Sequence, residues 1–141
     1  MICVDASVAA KWILAEEYSD KALRLYQDAV ANGQSIVAPT LLPYEVTNIL
    51  RLRTLRGSLP AGQAQPLLAQ YLTFPIRLLS PETLHREALR LSESFALPAA
   101  YDAHYLALAQ LLSCELWTDD RRLLRQLGGK LTFVRAIGEY A

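Results

Sequence analysis

Short apolar runs alternate with longer stretches whose apolar positions recur every three or four residues. The run ICV, Ile2 to Val4, predicts a strand that ends at Asp5. Ser7 then serves as the N-cap of a predicted helix through VAAKWILAEE. Ser19 caps the next, DKALRLYQDAVA, which Asn32-Gly33 closes. Ser35 to Ala38 predicts a second strand, stopped by Pro39. Thr40 opens a longer helix through LLPYEVTNILRLRTLR, with Pro43 tolerated in its first turn and Gly57 beyond its end. Pro60 starts a shorter helix to about Leu72, and Ile76 to Leu79 predicts a third strand. Ser80-Pro81-Glu82-Thr83 is a helix start continued by HREALRLSESF, and Pro98 precedes the helix AAYDAHYLALAQLL. Leu116 to Thr118 predicts a strand, Arg121 to Leu127 a short helix, and Leu131 to Val134 the last strand.

Strands alternating with helices, with no tight hairpin between them, predict an α/β fold: a parallel sheet with helices on both faces. Such sheets gather ligands at the carboxyl edge of their strands. Asp5 and the pair Asp119-Asp120 both lie just past predicted strand ends, so two strands deliver acids to one edge.

Composition adds bounds to this picture. The 141 residues, 52% of them apolar, fit one domain spanning 1–141, and no linker or repeat divides them. No apolar run approaches the roughly 20 residues that cross a bilayer, and MICVDAS lacks the form of a secretory signal. Cys3 and Cys114 are expected as buried free thiols of a cytoplasmic protein. The net charge is zero, yet its distribution is uneven. No acid lies between Glu45 and Glu82, where Arg51, Arg53, Arg56 and Arg77 do; none lies between Asp120 and Glu139, where Arg121, Arg122, Arg125, Lys130 and Arg135 do. Eleven of the fourteen cations are arginine, whose planar fork suits phosphate, although solvated helix faces explain the charge pattern by itself.

Each acid taken singly has an ordinary explanation. Asp5 fits a strand-end turn, Glu45 a side chain curling to water from the border of the stripe Leu42, Val46 and Ile49, and Asp102 a carboxylate at a helix start. His104 shares a helix side with Leu108 and Leu111 and reads as packed or partly exposed rather than as a base, and His85 reads as surface. No serine or cysteine stands in an elbow motif, and Gly128-Gly129 lacks the continuation of a phosphate loop. Combined, Asp5, Glu45, Asp102 and Asp119 or Asp120 form an oxygen-only set at strand ends and helix starts. Such a set suits Mg2+ or Mn2+ rather than zinc, and a few carboxylates leave that ion free to take phosphate oxygens.

Four segments then resemble a known family: VDAS at the start, E-V-x-N-x-L from Glu45 to Leu50, YDAHYLALA from Tyr101 to Ala109, and LWTDDRRLL from Leu116 to Leu124. Together they look like the PIN domain, most of all the VapC-type toxins of toxin–antitoxin pairs. The resemblance implies a three-layer α/β/α sandwich and a Mg2+- or Mn2+-dependent endoribonuclease. It further implies a cytoplasmic homodimer restrained by a small antitoxin, with RNA as substrate. Carried over by position, the catalytic and metal-holding acids are Asp5, Glu45, Asp102 and Asp120. The family's Thr-x-Asp pattern selects Asp120 and leaves Asp119 a solvent-facing or helix-capping acid. Ser7, Asn48 and Thr118 match supporting polar positions, and Arg51, Arg121 and Arg122 are candidate phosphate holders. The alternatives are a PIN module that binds RNA or antitoxin without cutting, and a DNA or flap nuclease using the same acids. The segment LLAQYLTF, Leu67 to Phe74, reads equally as a partner surface and as core packing.

Overall fold

The computed structural model describes residues 1–141 and contains five strands and seven α-helices. In chain order these are β1 (Ile2–Val4), α1 (Ala6–Ala9, continued by a 3-10 turn over Ala10–Trp12), α2 (Ser19–Ala31), β2 (Ile36–Pro39), α3 (Leu42–Leu55) and α4 (Ala64–Tyr71). There follow β3 (Ile76–Leu79), α5 (Leu84–Ser94), α6 (Tyr101–Leu111), β4 (Glu115–Thr118), α7 (Arg121–Leu127) and β5 (Val134–Ala136), with a closing 3-10 turn over Ile137–Glu139.

The strands form one parallel sheet in the order β3-β2-β1-β4-β5. β1 sits at the centre, where Cys3 pairs with Val37 on one side and Leu116 on the other. It is buried along its whole length, as a strand covered on both faces must be. Helix α6 packs over β1, β2 and β4 and pairs with α5, while α1 packs against β4 and α3. With right-handed crossovers, α5, α6 and α7 cover one face and the first four helices the other, a three-layer α/β/α fold. The chain leaves β1 towards β2 but later returns to β4 on its other flank. The carboxyl ends of β1 and β4 therefore open onto the crevice where the strand order reverses.

Local departures from the sequence pattern have identifiable causes. The helix expected over VAAKWILAEE stops at Trp12, because Lys11 is drawn inside to meet Glu16 and Asp119. Asp5, not Ser7, caps α1: its carboxylate accepts the Val8 N–H. Ser19 begins α2 without capping it; its hydroxyl accepts from Glu16 N–H and donates to the Leu14 carbonyl, closing the preceding turn. Pro60 lies in a turn, and α4 begins only at Ala64. The last strand is displaced from Leu131–Val134 to Val134–Ala136, since the turn through Gly128 and Gly129, both at positive φ, brings Val134 rather than Leu131 opposite Leu116. Cys3 is buried but Cys114 only half so, just before β4, and both thiols are free.

Within Leu67 to Phe74, Tyr71 is buried, and Leu67, Leu68 and Phe74 pack on the core. Phe74 joins Trp12 and Tyr26 in an aromatic cluster, and among the large apolar side chains of the segment Leu72 alone stands well exposed. No helix is long and apolar enough to cross a membrane.

Candidate functional site

The ends of β1 and β4 are laced together by hydroxyl groups. Asp5 Oδ1 accepts from Ser7 Oγ at 2.5 Å and from Val8 N at 3.2 Å. Asp5 Oδ2 accepts from Thr118 Oγ1. Ser7 Oγ in turn accepts the Asp119 N–H at 2.7 Å, and Thr118 Oγ1 accepts the Asp120 N–H at 3.0 Å. Asp5 is thus fixed by two side chains whose own lone pairs fix the β4–α7 turn. The carboxyl is almost wholly buried, and burial lifts its pKa to about 7 against the opposing pull of its three hydrogen bonds; Asp102 raises it further.

Glu45 projects from the first turn of α3 and is half-buried. The phenol of Tyr105 donates to its Oε1 at 2.5 Å. Burial raises the Glu45 pKa, the Tyr105 hydrogen bond opposes that shift, and the charge of Asp120 adds to it. Asp102 lies in the first turn of α6, and its pKa rises to about 6 through burial, then through Asp120 and Glu45. Asp120 caps α7, its Oδ1 accepting from Arg122 N and Leu123 N at 3.0 Å each. Four acids from four separate elements therefore feel one another across the crevice.

None of these four carboxylates is in an ion pair, although six salt bridges form elsewhere. Asp119 contrasts with them. The sequence pattern has it facing solvent or capping a helix; instead Asp120 is the cap, and Asp119 Oδ2 lies 2.9 Å from the ammonium of buried Lys11. The donor set Asp5, Glu45, Asp102 and Asp120 is all oxygen, mutually repelling and without an ion-paired protein cation, which fits a hard divalent ion. The acids stand within electrostatic range of one another but are not drawn into a closed set of three ligands.

Around the acids, Arg122 shares a cavity of about 550 Å³ with Asp102, Asp120, Arg125 and Gln126. Arg125 belongs to the basic run after Asp120 but is not among the phosphate holders expected from the sequence, although it follows Arg122 by three positions on a helix and so shares its side. Arg121 is exposed and pairs with Glu17 at 2.6 Å, and Arg51 lines a separate cavity between α3 and α4. Asn48 is exposed, and no hydrogen bond joins it to the acids. His85 is exposed and His104 half-buried, as the sequence suggests, but their contact is new: His85 Nδ1 and His104 Nε2 lie 2.9 Å apart. Tyr105 belongs to no motif of acids, yet a phenol three residues beyond Asp102 in a buried helix must find a partner. Lys11 carries no sequence signal at all.

The raised carboxyls make stability depend on pH. A carboxyl with a raised folded-state pKa contributes fully below its unfolded value, near 3.8 for Asp5, and that contribution is lost as pH rises through about 7. In EDTA, urea midpoints should fall between pH 5 and pH 8, and Asp5→Asn should remove most of the fall. The expected size is on the order of 3–4 kcal/mol. The substitution keeps an acceptor for Ser7 and Val8, so an unchanged slope would exclude Asp5 as its source.

Comparison with known proteins gives the site a context. Residues 2–130 match the family model described as the PIN domain. The chain is 33% identical over 136 residues to a protein of Pyrobaculum aerophilum named Ribonuclease VapC3, covering 93% of this chain and 98% of that one. Among solved structures, it superposes on PAE2754, also from Pyrobaculum aerophilum, with a TM-score of 0.68 and 24% identity. That match covers 97% of this chain and 90% of the other and speaks to the fold.

Proposed function

The chain belongs to the PIN-domain family, and from that premise we propose that it is a Mg2+- or Mn2+-dependent endoribonuclease, the toxin of a toxin–antitoxin pair. The observation that carries this reading is the set of four coupled carboxylates without a cation partner, at the carboxyl ends of β1 and β4 and on the facing turns of α3 and α6. The name of the VapC3 relative supports the RNA substrate, the antitoxin partner and the toxin role. A cytoplasmic homodimer is part of the same proposal.

Asp5, Glu45, Asp102 and Asp120 would hold the ion. When bound, it supplies acidification of a water and neutralisation of charge on the phosphoryl and leaving oxygens. The remaining chemistry belongs to the chain. Ser7, Val8 and Thr118 hold Asp5 in one orientation, and Tyr105 does the same for Glu45. Burial holds a proton on Asp5 up to about pH 7 and on Asp102 only up to about pH 6, so at neutral pH an arriving positive charge would displace a proton chiefly from Asp5. Arg122 and Arg125 line the cavity beside the acids and can hold the backbone phosphates that an all-acid site repels. The resemblance to the family implies that hydrolysis leaves a 5′-phosphate and a 3′-hydroxyl.

The test incubates labelled single-stranded RNA and its DNA counterpart with purified protein in Mn2+ and in EDTA. Cleavage of RNA alone, lost in EDTA, is the expected result. Binding without cleavage would assign a non-cutting module, and equal cutting of DNA would assign a general nuclease.

A further inference from the structure

The acids have two flanks of different chemistry. On one is the cavity with Arg122 and Arg125. On the other is a cleft of about 350 Å³ at the carboxyl end of β2, lined by Pro39, Tyr44, Leu84, His85, Tyr101 and His104. Tyr44 immediately precedes Glu45, and Tyr101 immediately precedes Asp102. Their rings are 75% and 65% exposed, the two most exposed large hydrophobic side chains in the molecule. An aromatic ring left in water costs the fold its burial, so two of them beside one cleft mark a surface that another flat group covers.

The histidine pair adds a directed polar group. His104 Nδ1 lies 2.7 Å from the Ala100 carbonyl, which can only accept. With both rings neutral, His104 therefore carries its proton on Nδ1 and accepts through Nε2 from the Nδ1–H of His85. This tautomer, inferred from the hydrogen bonds, leaves His85 Nε2 as an acceptor on an exposed ring. No Lys or Arg lines this cleft, so its chemistry does not suit a phosphate.

We propose that this cleft is a nucleobase subsite: one unpaired base of the RNA strand stacks on Tyr44 and Tyr101 and donates an N–H to His85, while the adjoining phosphate reaches the acids. The proposal rests on the nuclease reading of those acids. It makes the Tyr44–Tyr101 cleft a determinant of where the strand is cut, because the acids themselves read no sequence. Base–aromatic stacking is tolerant of base identity, and since every RNA base carries an amino or imino N–H, what the His85 acceptor reads is where that N–H lies on the stacked ring.

Short single-stranded RNAs carrying a fluorescent end label test it, with Asp102→Asn protein so that binding is read apart from cutting. Tyr44→Ala and Tyr101→Ala should each weaken binding roughly tenfold, the scale of one lost stacking contact, and Tyr101→Phe should restore it. An RNA with one abasic position beside the cut should lose a similar factor with the parent protein and lose little more with Tyr101→Ala. In the cleaving enzyme the same tyrosine changes should raise KM more than they lower kcat, and His85→Ala should shift the distribution of cut sites. Unchanged RNA binding in both tyrosine variants overturns the proposal. If light scattering then shows a dimer turned to monomer, the cleft belongs to a protein interface. Failure of the nuclease reading is separate: it is absence of Mn2+-dependent cleavage by the unsubstituted protein, and the binding arm still decides the cleft.

Discussion

Asp102→Asn should reduce metal-dependent RNA cleavage by roughly a thousandfold or more while leaving the protein folded. Among the four acids Asp102 offers the cleanest test. Its carboxyl makes no side-chain hydrogen bond, so nothing in the scaffold depends on it, whereas Asp5 holds Ser7, Val8 and Thr118 in place. It is also the acid that feels both Asp120 and Glu45, which places it within reach of the other carboxylates. Asparagine keeps the shape and removes the charge. Titration calorimetry should show Mn2+ affinity falling by about 10- to 100-fold or more, the range for loss of groups that support a bound ion. The metal-free variant should gain stability at pH 8, because the Asp102 pKa of about 6 records a charge the fold disfavours. Full cleavage by this variant would remove Asp102 from the site. A collapse of stability in EDTA would show instead that the charge supports the fold.

How far the sequence reaches depends on whether a feature is local. Strand ends are local: a buried run stops where a carboxylate begins, so the chain alone marks Asp5 and the pair Asp119-Asp120 as edge residues, while the choice of Asp120 within the pair comes from the family resemblance. The bounds of the short helix Arg121–Leu127 are readable, and Gly128, at φ +58, ends it, but its cap is Asp120 rather than Asp119, whose carboxylate is taken by Lys11. The early break of the first helix is not, because it depends on Lys11 meeting Asp119, which lies more than a hundred residues away. The exchange of roles at Asp5 and Ser7 has the same origin. Ser7 can cap a helix in isolation, but in the fold its hydroxyl is needed between Asp5 and the Asp119 amide. Periodicity places Glu45 on a border, yet only tertiary structure supplies Tyr105 as its donor. The pairing of His85 with His104 likewise requires α5 against α6. Residue types at strand ends and helix starts are therefore visible in sequence, while the partners that set their charge and orientation are products of packing.

Asp119→Asn and Asp120→Asn should separate stability from chemistry at two adjacent positions. Asp120 caps α7 through Oδ1, and asparagine caps about as well as aspartate, so Asp120→Asn should change stability by no more than about 0.5 kcal/mol. It removes a charge that both Glu45 and Asp102 feel, and cleavage should fall by at least roughly a hundredfold. Asp119→Asn acts the other way. It leaves the ammonium of Lys11, 4% exposed, with Glu16 as its single counterion, and Glu16 is already shared with Arg53. Removing one partner from a mostly buried pair should cost about 2 kcal/mol, below the cost of a fully buried pair because Asp119 retains some solvent. Cleavage per folded molecule should stay within several-fold of the parent, since the Asp119 backbone N–H still donates to Ser7. Urea unfolding read beside initial cleavage rates distinguishes the two. A thousandfold loss of rate in Asp119→Asn, with Asp120→Asn active, would transfer the metal-holding role to the neighbour and break the equivalence drawn from Thr118-x-Asp120. The Lys11 explanation has its own check. Lys11→Met should cost less in the Asp119→Asn background than in the parent, because the ion pair it disrupts is already gone.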